Sequence, residues 1–393
     1  MQELLSGISL LILVFQVPAV FVLLSRLLKG PFRQPPIQPQ SPTPELLGNV
    51  SVVVPTLNEV ERISPLLTGL SKQSYEVREI IVVDSNSQDG TRDLVKAKIE
   101  KDPRFRLITD DPLPKNWVGR PWALHNGFLN TSASSEWFLG MDADTQPAPG
   151  LVAGLVKTAS ALDYDLVSLS PQFILQYPGE SLLQPALLMT LLYRFDPAGV
   201  NAQSSERVMA NGQCFLCRRS VLEQVNGYTS AKSSFCDDVT LARQIAATGF
   251  KGGFLDGAKV LKGRMYEGAA ETWKEWGRSL DLKDASSRAQ TWGDLWLLTS
   301  VQGLPLIIVL LFLFVSFPFS FSFSFPSLLL WLNLFLLLIR FLMLLAIAPS
   351  YDFTQNKGGW LFWLSPIADP LAVLRIFLSA LRTPRQWRGR EYG

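Results

Sequence analysis

Three patterns of hydrophobic and polar positions follow one another along the chain. From Leu4 to Ser25 there are 22 residues without a charge, enough at roughly 1.5 Å per residue to cross a hydrocarbon core of about 30 Å. Glu3 precedes the run, and Arg26, Lys29 and Arg33 follow it. A secretory signal has the opposite flanks, a basic start and a small-residue cleavage site. The run therefore predicts an uncleaved anchor over 4–28, with the bulk of the chain on the cytoplasmic side. The proline-rich "PFRQPPIQPQSPTPE" reads as an extended linker over 29–45.

From 46 to 290 the pattern changes to short β-branched runs alternating with amphipathic stretches. The runs "VSVVVP", "EIIVVD", "FRLIT", "EWFLGMD", "DLVSLSPQ" and "GQCFLCRR" predict strands. "QDGTRDLVKAKIEKD" and "DDVTLARQIAATG" predict helices between them. This is α/β order with a largely parallel sheet, whose ligands bind beyond the carboxyl ends of the strands. Polar clusters stand at those ends: "PTLNE", Pro55 to Glu59; "DSNSQDGT", Asp84 to Thr91; and Asp142 with Asp144. Taken singly, each is an ordinary strand-to-helix turn; together they can converge on one rim.

The third pattern is apolar again. Between Asp294 and Arg340 lie 45 uncharged residues. They read as a transmembrane hairpin over 296–349, with "PFSFSFSF" as the turn at the far interface. Beyond it only 11 uncharged residues separate Lys357 from Asp369. By that count 358–393 is too short for a span and predicts an interfacial or re-entrant segment followed by a basic tail, with Arg382, Arg385, Arg388 and Arg390 holding the C-terminus cytoplasmic. The expected location is integral to the membrane and multi-pass, with the catalytic domain cytoplasmic.

Composition narrows the chemistry. The chain of 393 residues is 48% hydrophobic, with a formal net charge of +2 from 36 basic and 34 acidic residues, so no electrostatic footprint for nucleic acid is present. Cys214, Cys217 and Cys236 are too few for a disulfide framework, and the single His125 argues against a histidine metal site. Chemistry must then rest on carboxylates. On an extended strand residues i and i+2 share a face, so Asp142 and Asp144 can address one site if that geometry persists through Ala143. The pair alone is open to three readings: acid and base, metal clamp, or polar strand end.

"VVVPTLNE", "IIVVDSNSQDGT", "GRPWALHNG", "MDAD" and "CDDVTLARQI", in this order, resemble the family 2 glycosyltransferases, inverting enzymes with a GT-A fold that use nucleotide-sugars. The membrane arrangement and the closing "WRGREY" look like the branch that glycosylates lipids, and most like cyanobacterial carotenoid glycosyltransferases acting on myxol-type hydroxycarotenoids. The resemblance implies a UDP- or GDP-sugar donor. Asp84 would bond the base edge, with Pro55, Thr56 and Glu59 lining the base and ribose pocket and Arg120 contacting phosphate. Asp144 would coordinate Mg or Mn directly, Asp142 lying near the ribose or metal, because two carboxylates beside a departing diphosphate need a hard cation between them. Where the family has Glu-Asp this chain has Asp237 and Asp238. The carry-over makes Asp238 the general base on the acceptor hydroxyl and leaves Asp237 as a departure on the donor and acceptor side.

The expected reaction is one displacement with inversion onto the hydroxyl of a membrane lipid, a hydroxycarotenoid among the candidates. A polyprenyl-phosphate or other glycolipid precursor is the same-class alternative, and a non-catalytic nucleotide-sugar-binding scaffold the other. Two local acids do not supply the facing carboxylates of a retaining glycosidase. His125 reads as a packed residue, Cys214 and Cys217 as core, and Asp89 with Gly90 as a helix cap. Arg278 is a partial echo of the Gln-x-x-Arg-Trp motif of processive synthases. "ESLLQPALLMTLLYRF", Glu180 to Phe195, reads either as a core helix or as an interfacial one on the acceptor side.

Overall fold

The computed structural model describes residues 2–202, 204–279, 282, 285–314, 324–381, 386–387 and 390–391, without the side chains of 2, 276–279, 386–387 and 390–391. The Phe/Ser turn up to Phe323, the side chain of Arg278 and the arginines of the C-terminal tail lie outside what is described. The chain divides into a sheet unit, Arg33–Ile174, Ala198–Met265 and Pro384–Gly393, and a helical unit, Met1–Phe32, Leu175–Pro197 and Tyr266–Thr383. The stretch read as one domain over 46–290 thus yields 175–197 and 266–290 to the helical unit and gains 33–45.

The sheet unit holds strands β1 Val50–Thr56, β2 Val77–Asp84, β3 Phe105–Thr109, β4 Trp137–Met141, β5 Thr145–Pro147, β6 Leu166–Ser170, β7 Gln172–Ile174, β8 Cys214–Arg218, β9 Gly252–Asp256 and β10 Leu261–Gly263. Seven of them make the main sheet in the order β3-β2-β1-β4-β8-β6-β9. Within it β8 runs antiparallel to β4 and β6, and the other pairs are parallel. β10 pairs antiparallel with β5 and parallel with β7 in a smaller sheet.

Both faces of the main sheet are covered, which is why its strands read as near-continuous apolar runs. Val50, Val52, Val54, Ile80, Val82 and Leu139 pack on the helices Ile63–Ser71 and Leu151–Ala161. The alternate residues Val53, Ile81, Val83 and Phe138 pack on Gly119–Leu129 and Asp237–Ala247. Cys214 and Cys217 are buried free thiols, one in each core, as their core reading expects. Gly127 permits the close approach of its helix, since a Cβ there would lie 2.3 Å from Val53 Cγ1.

Between the 3-10 turns Gly30–Phe32 and Pro44–Leu46, residues 33–43 carry no helix or strand and are laid along the sheet unit rather than left as a free tether. Gln34 N donates to Gly199 O at 2.8 Å, Ile37 N to Asp256 O at 2.9 Å and Gln40 N to Gly150 O at 3.1 Å, and Ile37 is buried. Prolines supply no donor, and the remaining N–H groups are the ones that bond.

In the helical unit four runs are long and apolar enough to cross a membrane: Glu3–Phe32, Arg288–Phe314, Phe325–Ser350 and Gly359–Leu381. The last is longer than the uncharged run counted along the sequence. Asp369 ends the uncharged run, yet the helical run continues through it for 23 residues, a 3-10 stretch Gly359–Ala368 passing into the α-helix Asp369–Leu381. A charge limits an apolar segment only where it must meet lipid. Here Asp369 is buried against Arg340 of the helix Phe325–Ile347, with Nε to Oδ2 at 2.7 Å and Nη2 to Oδ1 at 3.1 Å. Gln302, in a π-helical turn Thr299–Gly303, donates to Asp369 Oδ1 and to Ala186 O. A second polar knot joins Gln16, Asn333 and Ser300 O. Such bonds substitute for the hydrophobic drive that lipid does not provide between helices.

Arg340→Ala leaves Asp369 buried without its counter-charge and is expected to cost about 3–5 kcal/mol. Thermal unfolding in detergent checks it, and Arg340→Ala with Asp369→Ala should recover part of the loss. The helix Pro178–Arg194, left open between core and interface by its sequence, belongs to this unit and buries Ser181, Gln184, Met189, Thr190 and Tyr193. Its start is clamped by buried Glu180, which accepts from Gln176 N at 2.6 Å, Tyr177 N at 3.1 Å and Gly268 N at 2.8 Å.

Candidate active site

The carboxyl ends of β2, β1 and β4 and the amino end of antiparallel β8 lie side by side on one edge of the main sheet, with Thr56 opposite Asp84 and Met141 opposite Cys214. At roughly 4.8 Å per strand, the rim from Asp84 to Asp142 is about 10 Å wide. β1 pairs with both β2 and β4, so chain order reverses here, which is where open α/β sheets place their ligands.

At one end of the rim Asp84 is buried and accepts hydrogen bonds through both oxygens. Its Oδ1 accepts from Thr56 Oγ1 at 3.2 Å, its Oδ2 from Ser87 N at 3.0 Å, and Arg92 Nε stands 3.7 Å away. Neighbouring loops are laced together: Asn58 N donates to Ser87 Oγ, and Glu59 N to Thr91 Oγ1. Pro55 is half-buried and Glu59 buried. Asp89 accepts from Val60 N and Thr91 N while Gly90, at φ 99°, is the cap residue of the helix Thr91–Ile99, so both do structural work.

At the other end Arg120, in the first turn of the helix Gly119–Leu129, gathers the carboxylates. Its Nε and Nη2 lie 2.9 Å and 2.8 Å from Asp142 Oδ1, its Nη1 bonds Asp237 Oδ2, and its Nη2 donates to Gly212 O at 3.0 Å. Asp237 and Asp238 open the helix Asp237–Ala247, where its N-terminal dipole favours negative charge. Asp238 accepts from Gly212 N at 2.6 Å and from Val239 N at 2.9 Å. Burial pulls the Arg120 guanidinium down, but Asp142, Asp237 and Asp238 outweigh it and hold it well above its ordinary value. Burial raises the carboxyls of Asp237 and Asp238, against the lowering influence of Arg120. One guanidinium thus faces three carboxylates, an excess of negative charge that a cation would relieve.

Asp142 and Asp144 do not share a face through an extended Ala143. The strand ends at Met141, and Thr145 N and Oγ1 both donate to Asp142 O, closing a turn through Ala143 and Asp144. Asp142 therefore meets Arg120, whereas Asp144 Oδ1 accepts from Gln213 Nε2 at 3.2 Å. Both acids are half-buried on the rim. Among the described residues no group of three or more His, Cys, Asp or Glu is poised to hold a metal ion. Mg or Mn is commonly held by one or two carboxylates plus substrate phosphates, so two rim acids in a negatively charged site fit such an ion.

The turn Asn211–Gln213 is the part that sequence reasoning missed. Gly212 bonds both Arg120 and Asp238, Gln213 bonds Asp144, and Asn211 Oδ1 accepts from Gln213 N to brace the turn. The available signal is the Asn211-Gly212 pair ahead of "QCFLC", of which only Gly212 falls in the strand predicted from the sequence. Asp110, buried after β3, accepts from Ser85 Oγ at 2.8 Å and was likewise not singled out. His125 is packed beside Trp117 and Trp122, with ring centroids 5.1 Å and 6.0 Å away, and burial lowers its pKa. Lys115 is exposed.

Residues 51–225 match the sequence family described as glycosyl transferase family 2. The chain is 27% identical over 274 residues to the 4,4'-diaponeurosporenoate glycosyltransferase of Staphylococcus haemolyticus, covering 67% of this chain and 70% of that protein. It is 36% identical to the undecaprenyl-phosphate 4-deoxy-4-formamido-L-arabinose transferase of Serratia proteamaculans over 31% of this chain and 37% of that protein. Among solved structures, the mannosyltransferase PcManGT of Pyrobaculum calidifontis, in complex with GDP-Man and Mn2+, superposes with a TM-score of 0.50 at 18% identity, covering 96% of this chain and 99% of that one.

Proposed function

From the glycosyltransferase family 2 domain that this chain carries at residues 51–225 on a GT-A fold, we propose that the enzyme moves one sugar, with inversion, from a nucleoside-diphosphate donor to a hydroxyl of a membrane lipid. The observation that carries this reading is the convergence of Arg120, Asp142, Asp237 and Asp238 around Gly212 at the switch point of the sheet. A binding module has no need of a base beside a diphosphate site, the role given to Asp238, so the scaffold alternative loses its support.

Thr56, Glu59 and Asp84 bind the nucleoside of a UDP- or GDP-sugar, a role in which a carboxylate accepts from a base N–H or ribose hydroxyls. Arg120 supplies the phosphate contact, its planar fork suiting a diphosphate. Asp144 with Asp142 would hold Mg or Mn, which when bound neutralises the charge that grows on the leaving diphosphate. Asp238 takes the acceptor proton. A carboxylate whose affinity for a proton is raised by burial is a stronger base than an exposed one. Asp237, shorter than the glutamate the family resemblance expects, holds Arg120 instead of reaching the acceptor.

The acceptor we infer is a hydroxylated carotenoid. The relative named for a carotenoid carboxylate matches over 67% of this chain, against 31% for the undecaprenyl-phosphate transferase, which supports the carotenoid class; the hydroxyl as the accepting group is read from the base Asp238. The long apolar helices suit a substrate that arrives through the bilayer, and we place the sheet unit on the cytoplasmic side. Purified protein in detergent should release nucleoside diphosphate only with a divalent cation and a hydroxylated lipid together, and chelation by EDTA should stop it. Pigment profiling of a deletion strain tests the acceptor: unglycosylated hydroxycarotenoid should accumulate, and an unchanged pigment profile would remove that reading in favour of the polyprenyl-phosphate one.

A further inference from the structure

The run Gly359–Leu381 is long enough to cross a bilayer, but its contacts within the helical unit do not suit a crossing. Its entrance lies at the start of the helix Pro178–Arg194. Lys357 N donates to Gln176 O at 3.0 Å, Asn356 Nδ2 to Ser181 Oγ at 2.8 Å, and a Cβ on Gly358 would lie 2.9 Å from Pro178. Glu180 binds that point to the first residue of the helix Gly268–Ser279 through Gly268 N. Further along, Arg375 Nε donates to Trp273 O at 2.6 Å and its Nη2 to Lys274 O at 3.1 Å. Gly268 and Lys274 are six residues apart on one helix, a rise of about 9 Å.

A straight run from Gly359 to Arg375, ten 3-10 residues followed by seven α-helical ones, would measure roughly 30 Å. Even allowing for the reach of the Glu180 and Arg375 side chains, those ties lie closer together than a straight run would place them, so the run bends. The place is marked by the change from 3-10 to α-helix at Asp369, flanked by Pro366 and Pro370. Asp369 is also where the run meets its polar partners, Arg340 and Gln302, and Gln302 in turn bonds Ala186 O. Ala186 stands eight residues into its helix and Arg340 seven residues before Ile347. Both put the apex roughly 10–12 Å from the entrance level, well short of a hydrocarbon core of about 30 Å.

The outward side of the run is apolar on both limbs: Trp360, Trp363 and Ile367 before the bend, Leu371, Leu374 and Leu381 after it, are exposed. Trp at the entrance suits the headgroup boundary. We propose that residues 359–381 form a re-entrant hairpin that enters one leaflet, turns at Asp369 and leaves on the same side, with its apolar face against the acyl chains of that leaflet. The broken backbone at the bend is admissible because it lies against protein. The run then leaves on the side where Lys357 enters, and three crossings remain among the described residues. None of this depends on the transferase reading.

The full-length chain in sealed membrane vesicles of both orientations tests the hairpin. Gln355→Cys, beside the entrance, and Lys101→Cys, exposed on the sheet unit, are labelled with a membrane-impermeant maleimide; the wild type, with its three cysteines buried, sets the background. A protease-cleavable tag appended after Gly393, on an otherwise unchanged chain, gives a second readout. The expected result is that position 355, position 101 and the tag are all reached from one face. A tag cleaved only from the face opposite position 101 overturns the hairpin and makes 359–381 a fourth crossing.

Discussion

Asp238→Asn is expected to bind the sugar donor as the wild type does and to lose about 10²–10⁴-fold in transfer, the usual worth of a positioned base. The substitution keeps size and shape but removes the group that accepts the proton. Both Asp238 oxygens accept backbone N–H groups, from Gly212 and Val239. An amide can satisfy only one of them and turns a donor toward the other. A modest loss of stability, about 1 kcal/mol, is therefore expected alongside the loss of turnover. Calorimetric donor binding and nucleoside diphosphate release, measured on the same preparation, separate the two effects. Turnover of the asparagine variant at the wild-type rate would move the base elsewhere.

Arg120→Ala is expected to be the most damaging single change in the sheet unit. It removes the guanidinium that pairs Asp142 and Asp237 and bonds Gly212 O, leaving three acids together without their cation. Breaking a buried pair from one side costs about 3–5 kcal/mol. Arg120→Lys keeps the charge but not the fork, so it cannot reach both carboxylates and the carbonyl at once. It should fall between wild type and alanine in thermal stability. If the site takes a divalent ion, Mg2+ should raise the thermal midpoint of Arg120→Ala more than that of the wild type, because the cation then supplies charge the variant lacks. An alanine variant that melts with the wild type would show that Arg120 does not hold the cluster together.

Much of the sheet unit was legible along the chain. Each of the six runs became a strand; apart from the edge strand β3, of which only Phe105 is buried, they are buried along most of their length and so stand out as near-continuous apolar segments with polar ends. β9, β5, β7 and β10 were not singled out. "GGFLD" carries two glycines, and the other three strands are three residues long, too short for any periodicity to appear. The acids of the candidate site were legible for a similar reason, since polar residues after a buried strand stand out. Their partners were not. Arg120 and Asp237 are more than a hundred residues apart, and Gly212 acts through its backbone, which leaves no mark on the residue type.

What the sequence by itself determined is the order of elements, the apolar segments and the identity of the acids, because periodicity and local chemistry are properties of neighbours along the chain. Tertiary structure alone decided which acid meets which partner. The turn after Met141 sent Asp142 to Arg120 and Asp144 to Gln213, where an extended strand would have kept them together. It also decided what Asp369 means. Counted along the chain it ends an apolar run; folded against Arg340 and Gln302 it sits inside one. The cost of a charge depends on what surrounds it, and that is set by contacts between distant parts of the chain.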